Sequence, residues 1–409
     1  MKLLHTGDWH LGKKLFKESR LPEQKLFLEW LFSIIKNHEI DILIIAGDVF
    51  DTPSPPAEAS KLFFDFLHQV SSKTTCHIVA IAGNHDSGAF LEAPKAILKD
   101  LRITLCGKIN GHSLTNLSFP KLSLTLLPFF RSYDILSMAR LLIEQGIIDR
   151  PSEKEEEKEE EGIITQCLEK LFNQAHCQDK KNILIAHHLF GSMEKVEMGG
   201  SEQAISLSGL NSIPTNILEK YFDYVALGHI HKKYTVKDSA PKIRYSGAPL
   251  SFRFSERGKK SITVINLDSD VLQSDEIEIP EFRRLITIQT AKETLELELK
   301  KMLEQNYTNE LPPYLEVQLT VQAPEIGAAD FIRDTISNSP IQLISLKVIV
   351  EGDEQEEAYS EVMSELPSLT ELFEMFYASR YPTEPTIPDE IRQSFMQLLS
   401  SAQTAEDKQ

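Results

Sequence analysis

Five short polar clusters carry the residues of this chain that could do chemistry: Gly7-Asp8-Trp9-His10, Gly47-Asp48-Val49-Phe50-Asp51, Gly83-Asn84-His85-Asp86, His187-His188 and Gly228-His229-Ile230-His231. In Asp8-Trp9-His10 a carboxylate and an imidazole two residues apart point to one side of an extended segment. Any one of these clusters alone reads as a polar turn. Five in succession, each after an apolar run, read as one metal site. Oxygen and imidazole donors without thiolate suit manganese, iron or zinc and disfavour calcium. Asp48 can bridge two cations, with Asp8, His10 and His231 beside one and Asn84, His187 and His229 beside the other. Two ions roughly 3.5 to 4 Å apart clamp the oxygens of an in-line phosphoryl displacement, so the expected chemistry is phosphoester hydrolysis. His187 is the first polar residue after its strand and is preferred as the ligand, although the spacing leaves His188 open.

The elements that must position these clusters are legible in the apolar pattern. Residues 43–46 form an unbroken apolar run, the mark of a strand buried on both faces, and it ends at Gly47 and Asp48. Open α/β sheets place their chemistry beyond the carboxyl ends of such strands. Residues 2–6, 77–82, 122–127, 182–186 and 224–227 are predicted as further strands. Residues 22–36 carry Leu26, Phe27, Trp30, Leu31, Ile34 and Ile35 at helical spacing, and 57–70, 91–98 and 135–147 also read as helices. Between 234 and 267 short β-like stretches, 243–246 and 261–267, are expected to complete a second sheet. The fold class is α/β.

From residue 285 the predicted order is strand 285–290, helix 292–305, strand 315–321, helix 330–336 and strand 341–350, a separate small α/β domain. Domain boundaries are expected at 1–280, 281–350 and 351–409. The last begins with an acidic linker, 351–365, followed by amphipathic helices over 368–379 and 389–401. Their apolar faces, Leu369, Leu372, Phe373 and Phe376 on one and Ile391, Phe395, Leu398 and Leu399 on the other, are expected to dock in a partner's groove.

The formal charge of -18 is uneven. Residues 351–409 carry net -11 and the run 153–161 net -5, which leaves the rest at -2. Bulk acidity therefore does not exclude a phosphodiester substrate, and bound cations would make the active face more positive. The run 153–161 has no apolar periodicity and reads as a solvated insertion or helix extension. No apolar run is long enough to cross a bilayer, and the first strand begins at residue 2, so a cytoplasmic protein is expected. Cys76, Cys106, Cys167 and Cys177 form no Cys-x-x-Cys pair, so neither a zinc knuckle nor a disulfide framework is indicated.

The ordered set Gly-Asp-x-His, Gly-Asp-x-x-Asp, Gly-Asn-His-Asp, a strand-end His and Gly-His-x-His resembles the calcineurin-like metallophosphoesterases. Within them His-Thr-Gly-Asp-Trp-His-Leu-Gly, Ala-Leu-Gly-His-Ile-His and Tyr-Ser-Gly-Ala-Pro-Leu resemble the SbcD-type nuclease components of the bacterial SbcCD exonucleases. The resemblance implies a two-sheet sandwich flanked by helices, a capping domain, and C-terminal helices that bind an ATPase partner. It implies a manganese-dependent DNA nuclease that acts at ends and hairpins, as a dimer within a heterotetramer. It gives His85 the role of protonating the leaving oxygen or stabilising developing charge, with Asp51 or Asp86 to orient it. Lys13 and Lys14, and Lys232, Lys233, Arg253 and Arg257, flank ligand motifs and are expected on the phosphate backbone. The acidic run and the modest basic groups depart from a duplex binder, and dependence on the partner would account for that. Rival readings are another phosphatase or phosphodiesterase of the superfamily, or a DNA-end tether with a structural metal site.

Overall fold

Every residue of the strand Ile42–Ala46 is buried, and its side chains divide between two cores. Ile42, Ile44 and Ala46 join an apolar layer with Leu122, Leu124, Leu126, Ile183, Ile185 and Ala226 of a second sheet. Leu43 and Ile45 face the opposite way, onto Phe27, Leu31, Phe63 and Leu67 of two helices. A register slip of one residue would exchange the two faces, which is why an all-apolar run suits this position.

The computed structural model describes residues 1–109, 113–148, 156–191, 213–237, 242–256, 258–268, 272–322 and 327–350, with Tyr359, Ser360, Tyr377, Ile387, Pro388, Ile391 and Phe395. The strands in chain order are β1 (Lys2–Thr6), β2 (Lys14–Leu15), β3 (Glu18–Ser19), β4 (Ile42–Ala46), β5 (His77–Ile81), β6 (Ile103–Cys106), β7 (Thr115–Ser118), β8 (Leu122–Leu127), β9 (Lys181–Ala186), β10 (Tyr224–Leu227), β11 (Tyr234–Lys237), β12 (Lys242–Tyr245), β13 (Ser261–Asn266) and β14 (Gln273–Glu278). One sheet runs β14-β13-β1-β4-β5-β6 and the other β11-β12-β10-β9-β8-β7. Helices α1 (Leu21–Asn37) and α2 (Ala57–Lys73) cover the first sheet. After the short α3 (Gly88–Glu92) and α4 (Lys95–Leu98), α5 (Ser132–Glu144) and α6 (Glu156–Ala175) cover the second. The result is the expected two-sheet sandwich with helices outside.

In both sheets the strands that end in the polar clusters run parallel, so their carboxyl ends emerge on one side. One expectation is corrected: β11 and β12 belong to the second sheet, but β13 pairs antiparallel with β1 in the first. The side of β1 away from β4 would otherwise be an open edge, and β13 covers it. The acidic run also resolves in part, since its end from Glu156 opens α6. Among the described residues no helix is long and apolar enough to cross a membrane.

The chain divides into two units, Met1–Ile286 with Tyr307–Tyr314, and Thr287–Asn306 with Leu315–Gln409. The second holds a sheet of β15 (Leu285–Ala291), β16 (Tyr314–Val321), β17 (Gln342–Val350) and β18 (Tyr359–Ser360), with α7 (Leu295–Leu303) and α8 (Ala328–Ile336). Tyr359 and Ser360, read from sequence as linker, pair with β17. Leu372, Phe373, Phe376 and Leu398 lie outside the described residues, while Ile391 is exposed and Phe395 half-buried.

Within the first unit, buried Glu23 on α1 accepts from Arg20 Nε at 2.6 Å and Arg283 Nε at 2.8 Å. Arg20 also donates to the Ser251 carbonyl at 2.8 Å.

Candidate metal centre

Two loops run side by side at the carboxyl ends of β1 and β4: Asp8 N donates to Gly47 O at 3.0 Å, His10 N to Asp48 O at 2.9 Å and Leu11 N to Val49 O at 2.9 Å. This pairing bends the segment away from the extended form expected of Asp-x-His. Asp8, His10 and Asp48 have φ of 53°, 44° and 48°, and His229 has 99°. Left-handed backbone is costly for residues with a side chain and persists only where the surroundings over-determine it. Trp9 supplies part of that constraint, fully buried and edge-on to Phe27, Phe63 and Phe66. Gln24 of α1 supplies more, donating to the His10 carbonyl at 2.7 Å.

The seven residues expected as ligands come together. His10 Nε2 and His231 Nε2 lie 3.0 Å apart, and His10 Nε2 is 3.5 Å from Asp48 Oδ2. On the other side of Asp48, its Oδ2 is 3.3 Å from His187 Nε2, while Asn84 Oδ1 is 3.1 Å from His187 Nε2 and 3.2 Å from His229 Nδ1. Asp8 Oδ1 accepts from His229 N at 2.8 Å. Two buried triads, Asp8-His10-His231 and Asp8-Asp48-His187, each place one donor atom per residue within 4.8 Å of the others. Asp8 belongs to both triads, and Asp48 Oδ2 lies between His10 and His187.

The donor set fits divalent cations. Imidazole nitrogens converge on carboxylate and amide oxygens in a pocket without a thiolate, a combination suited to manganese, iron or zinc. His187 Nδ1 lies 2.8 Å from the Ala46 carbonyl, which can only accept, so Nδ1 carries the proton and Nε2 faces the cluster. His188 does something else: its ring packs on Phe129 and Phe130 at 5.1 and 4.0 Å, away from the other donors. Glycine makes the approach possible at two strand ends. A Cβ on Gly47 would stand 2.2 Å from His187 Nδ1, and one on Gly83 would stand 2.1 Å from Asp48 Oδ1.

Burial alone would raise the Asp48 carboxyl, but the charge of His187 and its hydrogen bond outweigh that and hold it below the usual carboxylate range. For His187 burial is again overcome, here by the Asp48 charge and hydrogen bond, and its value rises to about 9. Burial first, then the His187 charge, pushes His229 down to about 3. Burial likewise lowers His10 and His231.

His85 is fixed at two points. Its main-chain N–H donates to Asp48 Oδ1 at 2.9 Å, and its Nδ1 donates to the Asp51 carbonyl at 2.8 Å. Asp51 thus orients it through the backbone. The Asp51 carboxylate takes Lys13 Nζ at 2.7 Å and stands 3.4 Å from His10 Nδ1. Burial would raise that carboxyl, yet the His10 ring and the Lys13 ammonium beside it bring it to about 2. Asp86, the other expected orienting residue, has a different task. Its carboxylate accepts from the N–H groups of Gly83, Val49 and Phe50 at 2.8, 3.0 and 2.9 Å, stapling two ligand loops together. Both its oxygens accept main-chain N–H groups in that turn.

The expected phosphate-contacting cations separate. Lys13 is tied to Asp51 and Lys233 to Glu276 at 2.6 Å, whereas Lys14, Lys232 and Arg253 are exposed and Arg257 lies outside the described residues. Sequence reasoning missed Phe252, whose ring is edge-on to His10 at 5.3 Å and His231 at 5.6 Å. The only signal for it is its place just beyond the Tyr-Ser-Gly-Ala-Pro-Leu stretch.

A family model described as calcineurin-like phosphoesterase matches residues 1–233, and the SbcD_C model, described as the type 5 capsule protein repressor C-terminal domain, matches residues 281–381. The SbcD component of the SbcCD nuclease of Bacillus subtilis is 34% identical over 267 residues, covering 65% of this chain and 66% of that protein, just under two thirds. That of Escherichia coli K12 is 30% identical over 328 residues and 78% of each chain, and that of Rhodobacter capsulatus 30% identical over 285 residues, 65% of this chain and 66% of that one. With the paired loops and the convergent donors, these matches settle the family: the chain belongs to the calcineurin-like phosphoesterases and, among them, to the SbcD components of the SbcCD nucleases.

Proposed function

We propose that this chain hydrolyses phosphodiester bonds of DNA at ends and hairpins, as a double-strand exonuclease and single-strand endonuclease, together with an SbcC-type ATPase. The observation that carries the reading is the convergence of five separate strand ends on one pocket of oxygen and imidazole donors. Two divalent ions, Mn2+ in our reading, would be held by Asp8, His10, Asp48, Asn84, His187, His229 and His231. When bound they would supply Lewis-acid stabilisation of the phosphoryl group under attack.

The chain's own residues do the rest. The Ala46 carbonyl keeps the Nδ1 proton of His187 in place and so aims Nε2 inward. The Asp51 carbonyl does the same for His85, leaving His85 Nε2 to serve the leaving oxygen. The walls of Trp9 and Phe252 hold the His10 loop against rotation. The segments 368–379 and 389–401, expected from sequence as amphipathic helices, would dock on the ATPase, within a heterotetramer containing two copies of this chain, in a cytoplasmic, nucleoid-associated setting.

The test is incubation of the purified chain with manganese and end-labelled DNA, single-stranded and duplex, beside an Asp48→Ala control and a small aryl phosphodiester. DNA cleavage that vanishes in the control is the expected result. Turnover of the small ester alone, even with the ATPase added, would overturn the nuclease reading in favour of another phosphoesterase. Deleting residues 366–409 should abolish ATPase binding and spare manganese-dependent cutting of single strands; loss of both would assign the helices to the core.

A further inference from the structure

Beside the metal centre the chain makes a two-residue hairpin, with Lys14 opposite Ser19 and Leu15 opposite Glu18, and Phe16 and Lys17 at its tip. Phe16 has φ of 55°, and its side chain is 43% exposed. The first position of such a loop, when its φ is positive, is a glycine position, and a bulky residue there is strained. The hairpin does not need that ring for its own folding, because buried Leu15 anchors it. An exposed aromatic ring is thus held where glycine would be the easier residue.

The surroundings say what the ring faces. Phe16 lies against Phe254, with centroids 6.3 Å apart and planes tilted by 40°. Phe254 follows Phe252 by two residues, and Phe252 is the ring that packs on His10 and His231. Lys14, Lys17 and Arg253 are exposed around the pair, and none has an ion-pair partner among the described residues. Neighbouring lysines elsewhere on this surface are neutralised, Lys233 by Glu276 and Lys259 by Glu278. An aromatic surface rimmed by unpaired cations, continuous with a phosphoesterase centre, matches a nucleotide strand: stacking for the base and charge for the backbone.

Resting on the phosphodiesterase reading above, we propose that Phe16 and Phe254 form a stacking platform for an unpaired nucleobase of the strand whose phosphodiester lies in the metal centre. A base paired within a duplex keeps both faces inside the stack and cannot use such a platform. The chain by itself therefore favours unpaired or frayed ends over intact duplex.

The experiment uses the full chain with EDTA, so that binding is read without cutting, and oligonucleotides carrying 2-aminopurine, single-stranded or paired within a duplex. Phe16→Gly removes the ring and relieves the positive φ, so its thermal midpoint should not fall below that of the parent. It should weaken single-strand affinity roughly 5- to 100-fold and abolish the fluorescence quenching, with little effect on duplex, and Phe16→Tyr should restore both. Single-strand affinity and quenching within twofold of the parent, or an equal loss on duplex, would overturn the platform. Hydrolysis of a small aryl phosphodiester with manganese is measured in parallel and should be the same in parent and Phe16→Gly. Failure of the parent to hydrolyse it counts against the phosphodiesterase reading, while the binding arm still decides the platform.

Discussion

His85 Nδ1 and the main-chain carbonyl of Asp51 lie 2.8 Å apart, so the orientation of the proposed catalytic imidazole depends on backbone and not on a carboxylate. Side-chain substitutions at the two positions should then separate. His85→Gln should lower kcat by about 10²- to 10⁴-fold, the range of general acid catalysis, with metal occupancy intact. Asp51→Asn keeps the carbonyl and should cost about tenfold or less, through its contacts with His10 and Lys13. Single-turnover cleavage with metal content measured on the same samples checks this; an equal loss in both variants would place the Asp51 carboxylate in the chemistry.

The adjacent histidines 187 and 188 should behave as opposites. His187→Ala removes a donor facing Asp48 and Asn84 and should lower metal stoichiometry. His188→Phe exchanges one flat ring for another between Phe129 and Phe130, and its effect should appear in thermal stability with metal content unchanged. Equilibrium dialysis against manganese distinguishes them, and metal loss in His188→Phe would reverse the assignment.

His5 should make stability depend on pH. Its ring is buried between the sheets, with Nδ1 3.1 Å from Tyr224 Oη and Nε2 3.2 Å from the Leu227 carbonyl, so only the neutral ring can accept from the tyrosine and donate to the carbonyl. Burial first, then the Arg244 charge, pushes its value down to about 3. Between pH 6.5 and about 3 the unfolded chain binds a proton that the folded chain excludes, so stability falls as pH falls through that window. The slope approaches about 1.4 kcal/mol per pH unit and vanishes above the window. Urea unfolding from pH 7 to 4 should show this slope reduced in His5→Gln; equal slopes would exclude His5 as its source.

Glu23 should be among the costlier surface-distant substitutions. Replacing it with Leu leaves the buried guanidiniums of Arg20 and Arg283 without their shared carboxylate and should cost about 3 to 5 kcal/mol. Glu23→Gln keeps an acceptor and should cost less. The urea midpoint of the first unit checks the order, and a Leu variant as stable as the parent would show that the network contributes nothing.

The sequence by itself determined the strands that carry the polar clusters, because their signal is local: an apolar run long enough for one strand, then a polar residue at its end, with glycine before it at four of the five. Lys2–Thr6 and Tyr224–Leu227 were legible to the residue. The choice of His187 over His188 was indicated by position, but only the Ala46 carbonyl and the Phe129-Phe130 slot, both remote in sequence, decide which ring faces Asp48. Tertiary structure alone decided that β13 would close the edge of β1, that Asp86 would staple loops and that Asp51 would act through its carbonyl. Phe252 and Arg283 were silent for the same reason. Their roles come from partners more than 200 positions away, His10 and Glu23, and no local pattern of hydrophobicity or spacing encodes which distant groups a side chain will meet.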